Sequence, residues 1–233
     1  MRVAIVGYGR MGREVEKAAL LRGHEVEARI DPVCGDFATL GAGALGEAEI
    51  ALEFTGPETA PDNVVRLARL GLDVVCGSTG WYDRMEEVRA AVEEAGVGVV
   101  WAPNFSIGVN LFWRLIEEAA RLFSRTDAGA AVFEVHHSAK RDAPSGTALR
   151  IVEILRDGGF DPSDSAVASL RAGHFPGTHT VVFDLPHETV ELSHVARSRA
   201  CFAYGAVMAA ELLRGRKGMI SFADLLRDEL FGG

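Results

Sequence analysis

A chain of 233 residues, 48% hydrophobic and 24% charged, is long enough to bury one large core or two small ones, as an ordinary globular protein does. A formal net charge of −9 disfavours general binding to nucleic acid or to an anionic membrane, so an anionic ligand has to be met by a local basic cluster. Three widely spaced cysteines, Cys34, Cys76 and Cys201, form neither a disulfide framework nor a zinc pattern. With no basic leader and no run of membrane-spanning length, a reducing, cytoplasmic setting is expected.

The first elements in chain order form a βαβ unit. An apolar strand over 2–6 breaks into Gly7-Tyr8-Gly9-Arg10-Met11-Gly12, a helix is expected over 13–22 up to Gly23, and a second strand over 25–30 closes on Asp31-Pro32. G-x-G-x-x-G between a strand and a helix, with an acid about 20 residues on, is the context a dinucleotide site requires. Gly7 permits the tight turn, Gly9 lets a pyrophosphate approach the backbone and Gly12 allows the helix to pack closely on the sheet. The helix N-terminus then offers N–H groups and partial positive charge to the phosphates. Asp31 is expected to accept from the adenosine ribose hydroxyls, which favours NADH over NADPH, although Arg10 is placed to meet a 2′-phosphate. Tyr8 belongs to the same turn, and Met11 serves packing. The plainer alternatives are an ordinary βα turn and, for Asp31, a strand-end turn residue.

Residues 33–46 are rich in Gly and Ala and read as a loop or a poorly formed helix. Strands over 49–54, 73–76 and 98–102 then alternate with helices over 63–70 and 83–95, which argues for a parallel sheet covered on both faces. The loops Gly77-Ser78-Thr79-Gly80 and Ala102-Pro103-Asn104-Phe105 follow strands, at the sheet edge where such folds bind ligands. The expected fold is therefore α/β, with a Rossmann-type doubly wound parallel sheet as its first domain.

The rhythm changes after residue 107. A long helix over 109–123, a strand over 131–136, a helix over 147–155 and two strands over 178–185 and 189–196 make a smaller α+β block. Helices over 203–213 and 222–230 return to the first domain. The expected division is 1–107 completed by 200–233, with 108–199 as a substrate-binding and oligomerisation domain.

The segment from Glu134 to Ala148 gathers His136, His137, Lys140 and Arg141 ahead of Pro144-Ser145-Gly146-Thr147. Imidazole can deliver a proton near neutral pH, cations can hold an anionic substrate, and a helix starting at Ser145 exposes N–H groups suited to a carboxylate. Three plainer readings stand beside this one. A histidine at one of the two positions can be structural, and Lys140 with Arg141 can be a solvated pair. Metal binding by the two histidines is not expected, because strand neighbours point to opposite faces and no third ligand sits at a supporting spacing.

The pattern H-H-x-x-K-x-D-x-P-S-G-T-A after Glu134 resembles that of the 4-hydroxy-tetrahydrodipicolinate reductase (dihydrodipicolinate reductase) family. The likeness runs through the chain, taking in Gly9-Arg10-Met11-Gly12, Gly77-Ser78-Thr79-Gly80, Asn104-Phe105-Ser106-Ile107-Gly108, Arg171-Ala172-Gly173, Gly177-Thr178-His179-Thr180 and Phe202-Ala203-Tyr204-Gly205. The resemblance implies reduction of a cyclic imine dicarboxylate to tetrahydrodipicolinate in lysine and diaminopimelate biosynthesis, with NADH or NADPH. It implies His136 as proton donor and acceptor, Lys140 as a second donor, and His137, Gly146 and Thr147 as substrate-binding residues. It also implies a homotetramer formed through the sheet of the second domain. The chain departs from some members in its tighter first glycine turn, in Pro32 where they have a basic residue, and in the short segment after the second strand. Pro32 in particular weakens any expectation of NADPH preference.

Overall fold

The computed structural model describes residues 1–161 and 166–232, and the chain folds into two compact units, 1–107 with 200–233 and 108–199. In the first unit, strands β1 (Arg2–Val6), β2 (Glu25–Ile30), β3 (Ile50–Glu53), β4 (Asp73–Cys76) and β5 (Gly98–Trp101) are all parallel. Their apolar runs (VAIV, IALE, VVC, VVW) are what a sheet buried on both faces requires. Side chains alternate across β1: Val3 and Ile5 enter one core and Ala4 and Val6 the other. Val3 and Ile5 meet helices α1 (Arg10–Leu21), α7 (Ala200–Leu213) and α8 (Phe222–Phe231); Ala4 and Val6 meet α3 (Ala60–Arg69) and α4 (Met85–Ala95). Helix α7 is apolar nearly all round because it is buried, which is how the C-terminal segment completes this unit.

The Gly/Ala-rich segment, read as a loop or a poorly formed helix, carries a single helical turn, α2 (Ala42–Leu45). Strand β10 (Gly218–Ser221) goes beyond the expected set, adding a sixth parallel strand beside β5. The strand is only four residues long and half-exposed at the sheet edge, so it lacks the apolar run that betrays a buried strand. The order is β10-β5-β4-β3-β1-β2, so the sheet runs out in opposite directions from the neighbouring strands β1 and β3. The carboxyl ends of such a pair leave a crevice between diverging connections, the usual ligand site of an open α/β sheet.

The second unit is a mixed four-stranded sheet, β7-β6-β8-β9, built from β6 (Gly129–His136), β7 (Ala166–Arg171), β8 (Thr178–Leu185) and β9 (Glu188–Val195). Helices α5 (Ile107–Phe123) and α6 (Gly146–Asp157) cover one face, where Phe112, Ile116, Ile151 and Leu155 pack on Val132, Val181 and Phe183. The opposite face leaves Phe133, Leu170 and Val195 about half exposed. Strand β7 is not among the strands expected from the sequence. Its alternation AVASLR pairs small and polar residues with apolar ones, and it lies at an edge where only one neighbour fixes it.

Candidate active site

In the first unit, a cleft of about 580 Å³ opens at the β1/β3 crevice. Gly7 and Gly9 from the turn after β1, Asp31 after β2 and Thr55 to Thr59 after β3 line it. The glycines are dictated by geometry. Gly7 has φ +88°, and a Cβ there would lie 2.5 Å from the Phe54 carbonyl oxygen; a Cβ on Gly12 would lie 2.3 Å from the Gly7 carbonyl oxygen. Nothing stands within 4 Å of a Cβ built on Gly9, the one glycine of the three with open space before it. Helix α1 begins at Arg10, three residues before its expected start, so the turn leads directly into the helix dipole.

Asp31 is tied into this turn. Its carboxylate accepts the N–H groups of Tyr8 (2.9 Å), Val33 (2.9 Å) and Cys34 (3.1 Å). The Val33 N–H does most to hold its carboxyl below the ordinary carboxylate value, burial opposes, and the other two donors reinforce. A fixed anion therefore faces the cleft. Tyr8 is held by Glu16, with the guanidinium carbons of Arg13 and Arg29 at 5.1 and 5.7 Å from its ring centroid, while Arg10 is exposed and Met11 packs on the core.

The other expected cofactor residues stand elsewhere on the carboxyl edge. Gly77 abuts the Phe54 ring, Ser78 is buried with its hydroxyl unpartnered among the described residues, and Thr79 follows, exposed, in the same loop. After β5, Ala102 and Phe105 turn their side chains into the core, with Phe105 against Phe222 at 5.0 Å between centroids. Pro103 is exposed, and Asn104 accepts the Ser106 N–H at 2.8 Å. None of these lines the β1/β3 cleft. Its third wall, Thr55 to Thr59, was not among the expected residues. Beneath it Glu53, fully buried, accepts the Thr55 N–H (3.1 Å) and Asn63 Nδ2 (3.3 Å). The rule that pointed to the loops after β4 and β5 applies equally to the loop after β3.

In the second unit, the expected residues surround the end of β6. Residues 130, 132, 134 and 136 share the buried face, so Glu134 and His136 follow Ala130 and Val132 into it while His137 emerges half-buried. Glu134 is the hub. Its carboxylate accepts from Ser169 Oγ (2.7 Å), Arg171 Nη2 (2.7 Å) and the Ser145 N–H (3.1 Å), and its Oε2 lies 3.4 Å from His136 Nδ1 and 3.6 Å from His179 Nε2. Burial alone would raise its pKa, but the donors from Ser145, Arg171 and Ser169 outweigh it and hold the group at about 2.

The histidines respond in the opposite sense. Burial pushes His136 below its ordinary value; the Glu134 charge opposes this, and Lys140 and Arg171 add to it. Burial, followed by the neighbouring His136, carries His179 down to about 4. His179 meets the edge of the His136 ring at 5.0 Å and contacts Ser145 Oγ at 3.1 Å. Burial also depresses His194, whose ring lies tilted against that of Phe112 at 5.9 Å between centroids. Glu134, His136 and His179 bring one potential ligand atom each within 4.8 Å of one another, a third ligand that linear spacing could not reveal. The Arg171 guanidinium on the same carboxylate opposes a second cation there.

Lys140 is half-buried and pairs with Asp142 at 2.8 Å, which gives Asp142 a partner the sequence did not suggest; Arg141 and Arg199 are exposed. Arg171 Nη2 also donates to the Asp142 carbonyl at 2.6 Å, so one guanidinium pins both Glu134 and the loop that carries Lys140. Ser145 caps α6 as its sequence predicts, accepting the Ala148 N–H at 3.2 Å. Its own N–H is taken by Glu134, and among the described residues the N–H groups of Gly146 and Thr147 are left over. Nothing lies within 4 Å of a Cβ built on Gly146, so the helix start faces open space. A pair of free N–H groups at a helix N-terminus beside His137 and Lys140 is a site for a carboxylate.

Family comparison matches the two units in turn. The N-terminal model of dihydrodipicolinate reductase matches residues 1–105 and the C-terminal model residues 108–226. A 4-hydroxy-tetrahydrodipicolinate reductase of Christiangramia forsetii is 31% identical, over 98% of both chains, and one of Archaeoglobus fulgidus is 38% identical, over 91% of this chain and 93% of its own. In fold, the chain is similar to a dipicolinate-bound dihydrodipicolinate reductase from Paenisporosarcina sp. TG-14, with a TM-score of 0.79 at 21% identity, covering 95% of this chain and 97% of that one. On these matches the chain belongs to the dihydrodipicolinate reductase family of oxidoreductases.

Proposed function

We propose that this enzyme reduces 4-hydroxy-tetrahydrodipicolinate, or the dihydrodipicolinate it yields, to tetrahydrodipicolinate in lysine and diaminopimelate biosynthesis. The observation that carries the reading is the pair of unpartnered N–H groups on Gly146 and Thr147, set beside His136, His137 and Lys140 in one acidic protein. The substrate carries two carboxylates; Gly146 and Thr147 receive one through the helix start, and His137 with Lys140 pair with the other. Lys140 exchanges Asp142 for that carboxylate. A reduced nicotinamide supplies the hydride when bound, and its residues of attachment are the turn from Gly7 to Gly12, Asp31, and the loops at 77–79 and 102–105. His136 supplies the proton, with Lys140 as a second donor.

NADH is the preferred donor in this reading, because the Asp31 anion suits a ribose hydroxyl and repels a 2′-phosphate. The enzyme works in the cytoplasm, and no helix among the described residues is long and apolar enough to cross a membrane. It assembles as a homotetramer through the open face of the second sheet, where Phe133, Leu170 and Val195 stand half exposed. The deciding experiment couples the chain to the synthase that forms the substrate and follows NADH and NADPH oxidation. Oxidation dependent on the synthase product is expected; its absence with both cofactors overturns the reading.

A further inference from the structure

His136 has two ring nitrogens, and the two lie in different surroundings. Nδ1 is buried without a hydrogen-bond partner among the described residues, and Glu134 Oε2 stands 3.4 Å away, too long for a well-formed hydrogen bond but within ion-pair range. Nε2 faces Gly177, where a Cβ would come within 3.1 Å of it. The carboxylate cannot turn away from the ring. Ser169 and Arg171 hold Oε1 at 2.7 Å each, and the Ser145 N–H reaches both oxygens at 3.1 and 3.2 Å.

The geometry points to Glu134 as the positioning residue of the proton donor: it fixes the Nδ1–H form of His136 and so makes Nε2, beside Gly177, the nitrogen that gives up the proton. This inference rests on the proposed reduction. Which imidazole nitrogen carries hydrogen is set by the partner of the other nitrogen, and a carboxylate facing Nδ1 selects Nδ1–H. In the step itself the protonated ring breaks its Nε2–H bond and the electron pair stays on Nε2. The proton bonds to the substrate atom left electron-rich by the hydride from the nicotinamide. The ring returns to the neutral Nδ1–H form, still facing Glu134.

The same carboxylate holds the N–H of Ser145, the residue that caps α6, so the donor ring and the carboxylate-binding helix start share one anchor. The charged and titratable groups around His136 come from every neighbour: Glu134 on its own strand, Arg171 on β7, His179 on β8 with His194 of β9 behind it, and Lys140 and Asp142 on the following loop. Of these only Glu134 and Asp142 favour the protonated ring. Removing the Glu134 charge therefore has a direction: the ring loses its proton at lower pH.

Two measurements test this. In wild-type enzyme labelled with ¹⁵N at histidine, the His136 resonance, identified by its loss in His136→Gln, is expected to report Nδ1–H at pH above its titration. A resonance reporting Nε2–H overturns the inference without recourse to a variant or to turnover. In Glu134→Gln, the high-pH limb of kcat is expected to move down by about one unit, with NADH affinity unchanged. An unmoved limb in a variant that still binds NADH also overturns it. Glu134→Asp, which keeps the charge, is expected to restore the limb. Wild-type enzyme that shows no synthase-dependent oxidation would instead refute the proposed reaction, and the resonance would still report the tautomer.

Discussion

Replacing Glu134 by Gln removes the charge from a fully buried carboxylate while keeping its shape, and the stability lost follows from its titration. A folded-state pKa of about 2 against the ordinary 4.5 corresponds to about 3 kcal/mol, at about 1.4 kcal/mol per unit. That lies at the lower end of the roughly 3–5 kcal/mol cost of stripping one partner from a buried ion pair. The sign follows from the depressed pKa: the contribution is complete above pH 4.5 and is lost as pH falls towards 2. At pH 3 less than half of it remains. Guanidinium unfolding of wild type and Glu134→Gln, followed at pH 7 and again at pH 3, measures the difference at each pH. The gap is expected to be about 3 kcal/mol at neutrality and to narrow by half or more in acid. A gap that stays constant with pH would refute the reasoning, since it would make the loss one of packing rather than of charge.

Further outcomes follow from the two clusters. His136→Gln is expected to lower kcat by roughly 100-fold or more while the Kd for NADH, read by fluorescence titration, stays within about twofold; equal loss of both would make the histidine structural. Asp31→Asn removes the anion at the cleft while one oxygen still accepts the Val33 and Cys34 N–H groups, so the ratio of NADPH to NADH dissociation constants should fall about tenfold. Gly12→Ala places a Cβ against the Gly7 carbonyl, and should cost about 1–3 kcal/mol in thermal unfolding together with most of the NADH affinity. Ser145→Ala removes the α6 cap and the contact to His179, and should lower Tm by about 2–4 °C, roughly 1 kcal/mol.

Much of the fold is legible in the sequence because local pattern and tertiary need coincide. The runs at 2–6, 50–53, 74–76 and 98–101 are apolar because both sheet faces are covered, and the glycines at 7 and 12 are there because backbone atoms leave no room for a side chain. Ser145 announces its helix through its own cap. Edge strands escape this logic. β7 and β10 each bond to one neighbour, and their half-exposed sequences carry no continuous apolar signal. Long-range partners escape it as well. Arg171 lies 37 residues from Glu134, and strand pairing brings them together; His179 lies 34 from Ser145, and they meet because α6 starts against the sheet, where Glu134 holds the Ser145 N–H.

That pairing explains why the chemistry sits where it does. In the register of the second sheet, Val132 has Val167 and Val181 as its neighbours, an apolar row that belongs to the core. Two residues further along β6, Glu134 has Ser169 on one side and His179 on the other, and His136 has Arg171 beside it. The same face of the same three strands thus passes from hydrocarbon to a hydrogen-bonded polar row within one period of the strand. Because side chains alternate with a period of two, a register slip of one residue in β7 or β8 would turn Ser169, Arg171 or His179 to the opposite face. Glu134 would then be a buried carboxylate without its donors, at a cost of several kcal/mol. The valine row, which resists such a slip by its burial, therefore also holds the proton donor's surroundings in place. Core packing and site geometry are set by one register, and the apolar half of each strand specifies the position of its polar half.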